Sequence, residues 1–225
     1  MKARDLMKLV KRFVLPHLEG FRVHRSLVYA HPVDMVLRGF VFQPLSMDPN
    51  AFTVEVFAQP LYVPSDCIWY TFGKRLGWLK HRRGIWWELD ISDLRQSEAV
   101  FREITEYILD VGLPFVQRLA TPAGFVQYGA KASGVPKDPH VREAIAYSRI
   151  LIGDYAKAAR ELEHLHRELI REQEDYPWMK EMAERVETIS KLLQQSPEDA
   201  VRQLHEWRDW TLKQLRLEKE IGEGS

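Results

Sequence analysis

The sequence predicts an α+β fold: an antiparallel sheet of about five strands with flanking helices, followed by an all-α helical region. Three observations carry this. Residues 2–15 place apolar side chains at helical spacing. Between 21 and 91 the period falls to two, in aromatic and β-branched runs joined by short loops. From 140 to 219 no strand-like run occurs and the helical period returns.

Leu6, Leu9, Val10, Phe13 and Val14 make one apolar face of a first helix, which Pro16 and Gly20 end. Phe21, Val23, Leu27 and Tyr29 share one parity and predict a strand over 21–29. A turn at His31, Pro32 and Asp34 leads to a second run over 35–43. Asp48, Pro49 and Asn50 are turn residues. Residues 52–59 alternate as a half-buried antiparallel strand should, and Pro60 and Pro64 end it. The aromatic runs 67–72 and 84–91 predict two more strands; the short loops favour hairpins over parallel crossovers. Phe101, Ile104, Ile108, Val111 and Phe115 mark the buried face of a helix over 98–119, with Pro114 as its kink.

Residues 131–139, within the small, polar stretch 129–139, divide the chain. The expected organisation is an α+β domain over 1–130, a linker over 131–139, about four helices over 140–219 and a frayed tail over 220–225. Ser196-Pro197-Glu198-Asp199 opens the last helix with a serine cap and proline at the first helical position.

Composition narrows the function. Of 225 residues, 32 are Lys or Arg and 32 Asp or Glu, so the whole surface is not built for polyanions, though a local basic patch is allowed. One cysteine excludes an internal disulfide framework and a cysteine-rich zinc module. No apolar stretch approaches the roughly 18–20 residues of a membrane span. Lys2, Arg4, Lys8, Lys11 and Arg12 interrupt the apolar residues that a secretory signal needs unbroken, and although a mitochondrial presequence is also basic and amphipathic, a cytoplasmic location is the simpler expectation.

No catalytic constellation survives inspection. Gly124 to Ser133 departs from the phosphate-loop pattern, because Ala130 and Ala132 break the Gly-Lys-Ser spacing. Glu161/His164 and Glu163/His166 have the spacing of di-iron ligands, but His164 and His166 lie about 200° apart on a helix and no second such pair follows. Cys67 lacks a neighbouring base and is expected as a small buried hydrophobe. A scattered active site drawing on Asp66, Asp90 and His24 stays open. No cofactor and no metal is expected.

Ala146, Gly153, Tyr155, Ala158 and Leu162, within 143–165, resemble a tetratricopeptide helical hairpin, although Arg142 and Arg149 stand where that family places large apolar residues. The resemblance implies a close antiparallel helix pair. A helix followed by Gly20-Phe21, two strands, FQPLS at 42–46 and FTVEVF at 52–57 resembles the bacterial domain-of-unknown-function 4304 family over 5–115. That resemblance implies a bacterial cytoplasmic protein and no particular chemistry.

The local anomaly is 74–87, where Lys74, Arg75, Lys80, Arg82 and Arg83 surround His81 without an acid, flanked by Trp78, Trp86 and Trp87. Cations with aromatics suit an acidic protein surface or a nucleic-acid strand, and a solvated hairpin tip with its tryptophans turned inward is the plain alternative. Lys74, Arg75, Trp78, Lys80, Arg82 and Arg83 are the candidate binding residues. The expected function is a non-enzymatic interaction protein, an accessory or regulatory subunit with a protein partner. The alternative is nucleic-acid binding through this loop.

Overall fold

The computed structural model describes residues 1–81, 86–131 and 138–220. Its chain divides into two units: Met1–Gln59 with Phe72–Ala120, and Pro60–Thr71 with Thr121–Lys219. The sequence put the boundary after 130 and left 60–71 with the sheet; the structure sets it after 120 and gives 60–71 to the helices.

In the sheet unit, α1 (Ala3–Phe13) buries Leu6, Met7, Leu9 and Val10. Asp5 in its first turn and Lys11 and Arg12 in its last complement the helix dipole. The predicted strand over 21–29 is two strands, β1 (Phe21–His24) and β2 (Leu27–Ala30), paired with His24 opposite Leu27. Two residues, Arg25 and Ser26, make the turn, and Arg25 takes a φ of 55° there. Tight hairpins need a positive φ to match strand twist, but the usual glycine or asparagine signal is missing.

β3 (Val36–Pro44), β4 (Ala51–Pro60) and β5 (Gly73–Arg75) complete the order β1-β2-β3-β4-β5, and β6 (Trp87–Glu88) pairs with β4 ahead of β5. The sheet is antiparallel and the fold is α+β, as predicted. β4 is buried on both parities rather than half-buried: Thr53 and Phe57 are as enclosed as Phe52 and Val54. Gly39 lies opposite Tyr29, so close that a Cβ on it would stand 2.1 Å from the Val28 carbonyl oxygen. Residues 67–72 are not a strand, and of 84–91 the described residues contribute only Trp87–Glu88.

The short α2 (Leu76–His81) follows β5 directly. Asp93 caps α3 (Leu94–Tyr107), accepting from the Arg95 and Gln96 amides at 2.9 and 3.0 Å. A π turn (Ile108–Gly112) then leads into α4 (Leu113–Arg118). Pro114 has no N–H to give, and the wider turn accommodates that gap. It also rotates the face: Val111, predicted buried, is half-exposed, and Gly112 is buried against Phe40 instead.

The helical unit contains α5 (Pro122–Lys131), α6 (Pro139–Leu151), α7 (Tyr155–Glu172), α8 (Trp178–Gln195) and α9 (Pro197–Gln214). Each packs on the next, and α6 also meets α9, closing α6–α9 into a four-helix arrangement. Ala158, Leu162, Leu165 and Leu169 form the buried stripe of α7; Met179, Met182, Ala183, Val186 and Ile189 form that of α8. Ser196 caps α9, as its sequence predicts. The heart of the expected linker, 132–137, lies outside the described residues, but α5 extends to Lys131 and Asp138 caps α6, accepting from the His140 amide at 2.9 Å.

Between α6 and α7 stands Gly153, with a φ of 81°. It sits where chain direction reverses, not where the helices come closest: a Cβ there would meet nothing within 4 Å. Ala158 does lie in the seam, fully buried. Arg142 and Arg149, out of place for a tetratricopeptide helix, reach across that seam. Arg142 pairs with Glu168, and Arg149 binds Glu161 at 2.8 Å and Asp154 at 2.9 Å. Among the described residues no helix is long and apolar enough to cross a membrane.

Candidate functional site

The basic loop is not a hairpin tip over its described part; it is the end of β5 and the helix α2. Lys74 lies over the Trp78 ring, 5.1 Å from its centroid. Arg75 pairs with Glu55, its register partner on β4, at 3.1 Å. Burial raises the Glu55 pKa while Arg75 opposes the rise. Lys80 pairs with Asp110 of the π turn and sits 5.8 Å from the Tyr107 ring centroid. Burial and the neighbouring Glu103 push the Tyr107 phenol up to about 12. Trp78 and Trp86 are exposed, whereas Trp87 packs against Phe52 and Tyr107. Arg82 and Arg83 lie outside the described residues. The structure thus brings Lys74 and Trp78 together, while Arg75 and Lys80 each pair with an acid, on β4 and on the π turn.

The other sequence candidates fall in both units. Asp66 belongs to the helical unit, while His24 and Asp90 belong to the sheet unit, where Asp90 folds back on Ser92 through bonds of 2.9 and 2.6 Å. Glu163 pairs with Arg167 at 3.7 Å and His164 contacts the same arginine at 3.2 Å, as on a solvated helix face. Among the described residues no group of three or more His, Cys, Asp or Glu side chains is placed to hold a metal. Cys67 is exposed, contrary to expectation. The segment around it is a loop in which the Ser65 hydroxyl donates to the Cys67 carbonyl at 2.7 Å and accepts from its amide at 3.3 Å.

That loop builds a site the sequence did not reveal. Leu61, Tyr62 and Val63 are buried in the helical unit. The Tyr62 hydroxyl lies 2.6 Å from Ser148 Oγ on α6, and the Ser65 amide donates to Thr211 of α9 at 3.4 Å. Burial raises the Tyr62 phenol well above its ordinary range, against the pull of Ser148. So anchored, the loop presents Trp69 to His140 at the start of α6, with centroids 6.0 Å apart. His140 in turn stacks on Trp178, the first residue of α8, at 5.0 Å and 17°. These three rings, with Trp210 of α9, line a cleft of about 520 Å³.

Met182 and Arg185 contribute to the cleft from α8. Behind Arg185 is Glu143 of α6, fully buried, which accepts from Arg185 Nε at 3.0 Å and Nη2 at 3.2 Å and from the Tyr147 hydroxyl at 3.1 Å. Burial works against the Arg185 charge, but Glu143 outweighs it and holds the guanidinium above its ordinary value. Glu143 therefore balances Arg185, and the carboxylates of Asp66 and Glu181 leave the lining with an excess of negative charge. Trp178 and Trp210 remain 44% and 45% exposed.

No family model matches this chain, and no curated protein or solved structure matches it. The cleft draws its rings from four separate stretches of sequence. The available signal was a tryptophan off the apolar stripe of its helix: Trp210 falls one residue before Thr211, which continues the buried stripe of Ala200 and Leu204.

Proposed function

We propose that this chain is a non-enzymatic interaction protein, an accessory or regulatory subunit, whose helical unit receives a segment of a partner protein in the aromatic cleft. The observation that supports it is the half-exposure of Trp178 and Trp210 around one cleft, on helices fixed by their own packing. Tryptophan and arginine dominate the energetic centres of protein interfaces, because a rigid aromatic buries much area at little entropic cost. The negative lining selects a segment with Lys or Arg beside its apolar residues; a cation over a tryptophan face gains about 0.5–2 kcal/mol. A cleft walled by Trp69, Trp178 and Trp210 between polar side chains offers a partner segment both apolar area and hydrogen bonds.

The test is quantitative affinity capture from the source cells with wild-type chain and with Trp178→Ala/Trp210→Ala, followed by calorimetry on the purified partner. The expected result is one stoichiometric partner whose binding weakens at least 30-fold in the variant, about 2 kcal/mol, with the helical circular dichroism unchanged. Equal affinity for both proteins, or no stoichiometric partner, would overturn the proposal.

A further inference from the structure

A second cleft, of about 620 Å³, lies wholly in the sheet unit between α1 and the turn of the β1–β2 hairpin. Arg4, Lys8 and Lys11 of α1 and Arg25 of the turn surround it, over a floor that includes Met7 and Val23. No carboxylate is among the described residues that line it. Asp5 binds Lys8 at 2.8 Å from outside the lining, and that bond, then the lysine's charge, keeps its carboxyl below the ordinary range. Lys8 nonetheless stays 65% exposed. The cleft therefore carries a net charge of about three positive units in a chain whose formal total is zero. Arg25 is carried to this place by its two-residue turn, whose geometry requires the φ of 55°.

The spacing of the charges narrows the ligand. Arg4, Lys8 and Lys11 follow one another at four and three residues, so at about 1.5 Å per residue they span about 10 Å along one helix face. A strand of duplex DNA places one phosphate per about 3.4 Å of axis, about three over that span. Among the described residues no aromatic side chain lines the cleft, so they offer no platform for unstacked bases. The apolar face of α1 is consumed in the core through Leu6, Leu9 and Val10, which leaves nothing to insert into a lipid surface.

We propose that this cleft binds the sugar–phosphate backbone of duplex nucleic acid, through charge and without reading sequence. The site is separate from the aromatic cleft, and its failure would leave the protein-partner proposal standing. It also relocates nucleic-acid contact from the loop 74–87 to α1 and the first hairpin.

The test uses the full chain and a fluorescein-labelled 20-base-pair duplex, with anisotropy read from 50 to 200 mM NaCl. Three to four neutralised phosphates predict a log–log salt slope of about −3, a fall in affinity of about 40- to 150-fold over that range. Lys8→Gln and Lys11→Gln should each flatten the slope by about one, and Arg4→Glu/Lys11→Glu should abolish binding while melting as the wild type does, since these side chains are exposed. Lys74→Gln/Arg75→Gln should leave the slope unchanged. No binding at 50 mM NaCl, a slope insensitive to the α1 substitutions, tighter binding of the matching single strand, or capture by phosphatidylserine vesicles without capture of the duplex would each overturn the proposal.

Discussion

Removing either half of the Glu143–Arg185 pair should destabilise the helical unit, and the two removals should not cost the same. Glu143 has no exposure, while the Arg185 side chain keeps 23%. Glu143→Ala deletes two charge-assisted hydrogen bonds, each nominally about 1.5–3 kcal/mol, and orphans the buried Tyr147 hydroxyl. The freed guanidinium has an escape, because it can turn to water and to Glu181 on its own helix. The net loss should be about 3 kcal/mol. Arg185→Ala leaves a carboxylate that cannot reach water and retains only Tyr147, so its cost should lie nearer 5 kcal/mol. The double variant removes the uncompensated charge altogether and should cost well under the sum, with a coupling energy of about 2–3 kcal/mol. Urea titrations followed by circular dichroism at 222 nm, which weights the helices, give the four midpoints of the cycle. A coupling below about 0.5 kcal/mol, or a smaller cost for Arg185→Ala than for Glu143→Ala, would refute the idea that the buried acid depends on its cation.

Three further outcomes can be checked. Gly39→Ala forces a Cβ against the Val28 carbonyl and the Tyr29 backbone, which cannot yield, so it should cost more than about 3 kcal/mol, read as a lost or sharply lowered thermal transition. Ala158→Leu overfills the α6–α7 seam and should cost about 1–3 kcal/mol, whereas Gly153→Ala, in open space but with positive φ, should cost about 1–2 kcal/mol; an unchanged melting temperature in either would place the residue wrongly. Burial raises the phenols of Tyr62 and Tyr147 above the ordinary value of about 10, so their contribution is complete below that pH and is lost as pH rises beyond it. Absorbance at 295 nm should show these tyrosines ionising only together with loss of helix, and Tyr62→Phe/Tyr147→Phe should blunt the alkaline loss.

What could be read from the sequence were the features fixed by local spacing. The stripes of α1, α7 and α8 and the serine cap of α9 depend on residues within a few turns, and their positions were predictable. The first hairpin was missed because Arg25 and Ser26 carry none of the usual turn chemistry. Residues 67–72 read as a strand because Ile68, Trp69 and Tyr70 are β-prone, yet the loop that leads into them is anchored at Tyr62 and Ser65 to Ser148 and Thr211, 86 and 146 residues on in the chain. The basic loop was visible as composition, but Glu55 and Asp110, which pair its cations, lie 20 and 30 residues away. The aromatic cleft was illegible for the same reason: no short window contains two of its walls.

The crossing of 60–71 into the helical unit has a consequence on the ribosome. Tyr62 leaves the exit tunnel 86 residues before Ser148, the hydroxyl it will meet. At about 5–20 residues per second, that is about 4–17 s of synthesis. Throughout that interval Leu61, Tyr62 and Val63, all destined for full burial, have no helices to cover them. β4 is already complete and β5 is made soon after, so the nascent sheet must hold an apolar loop open until α6 to α9 have been made. The loop is the natural place for a holdase to grip the nascent chain. Slowing the ribosome between codons 72 and 140 should lower the yield of folded protein more than slowing it after codon 214.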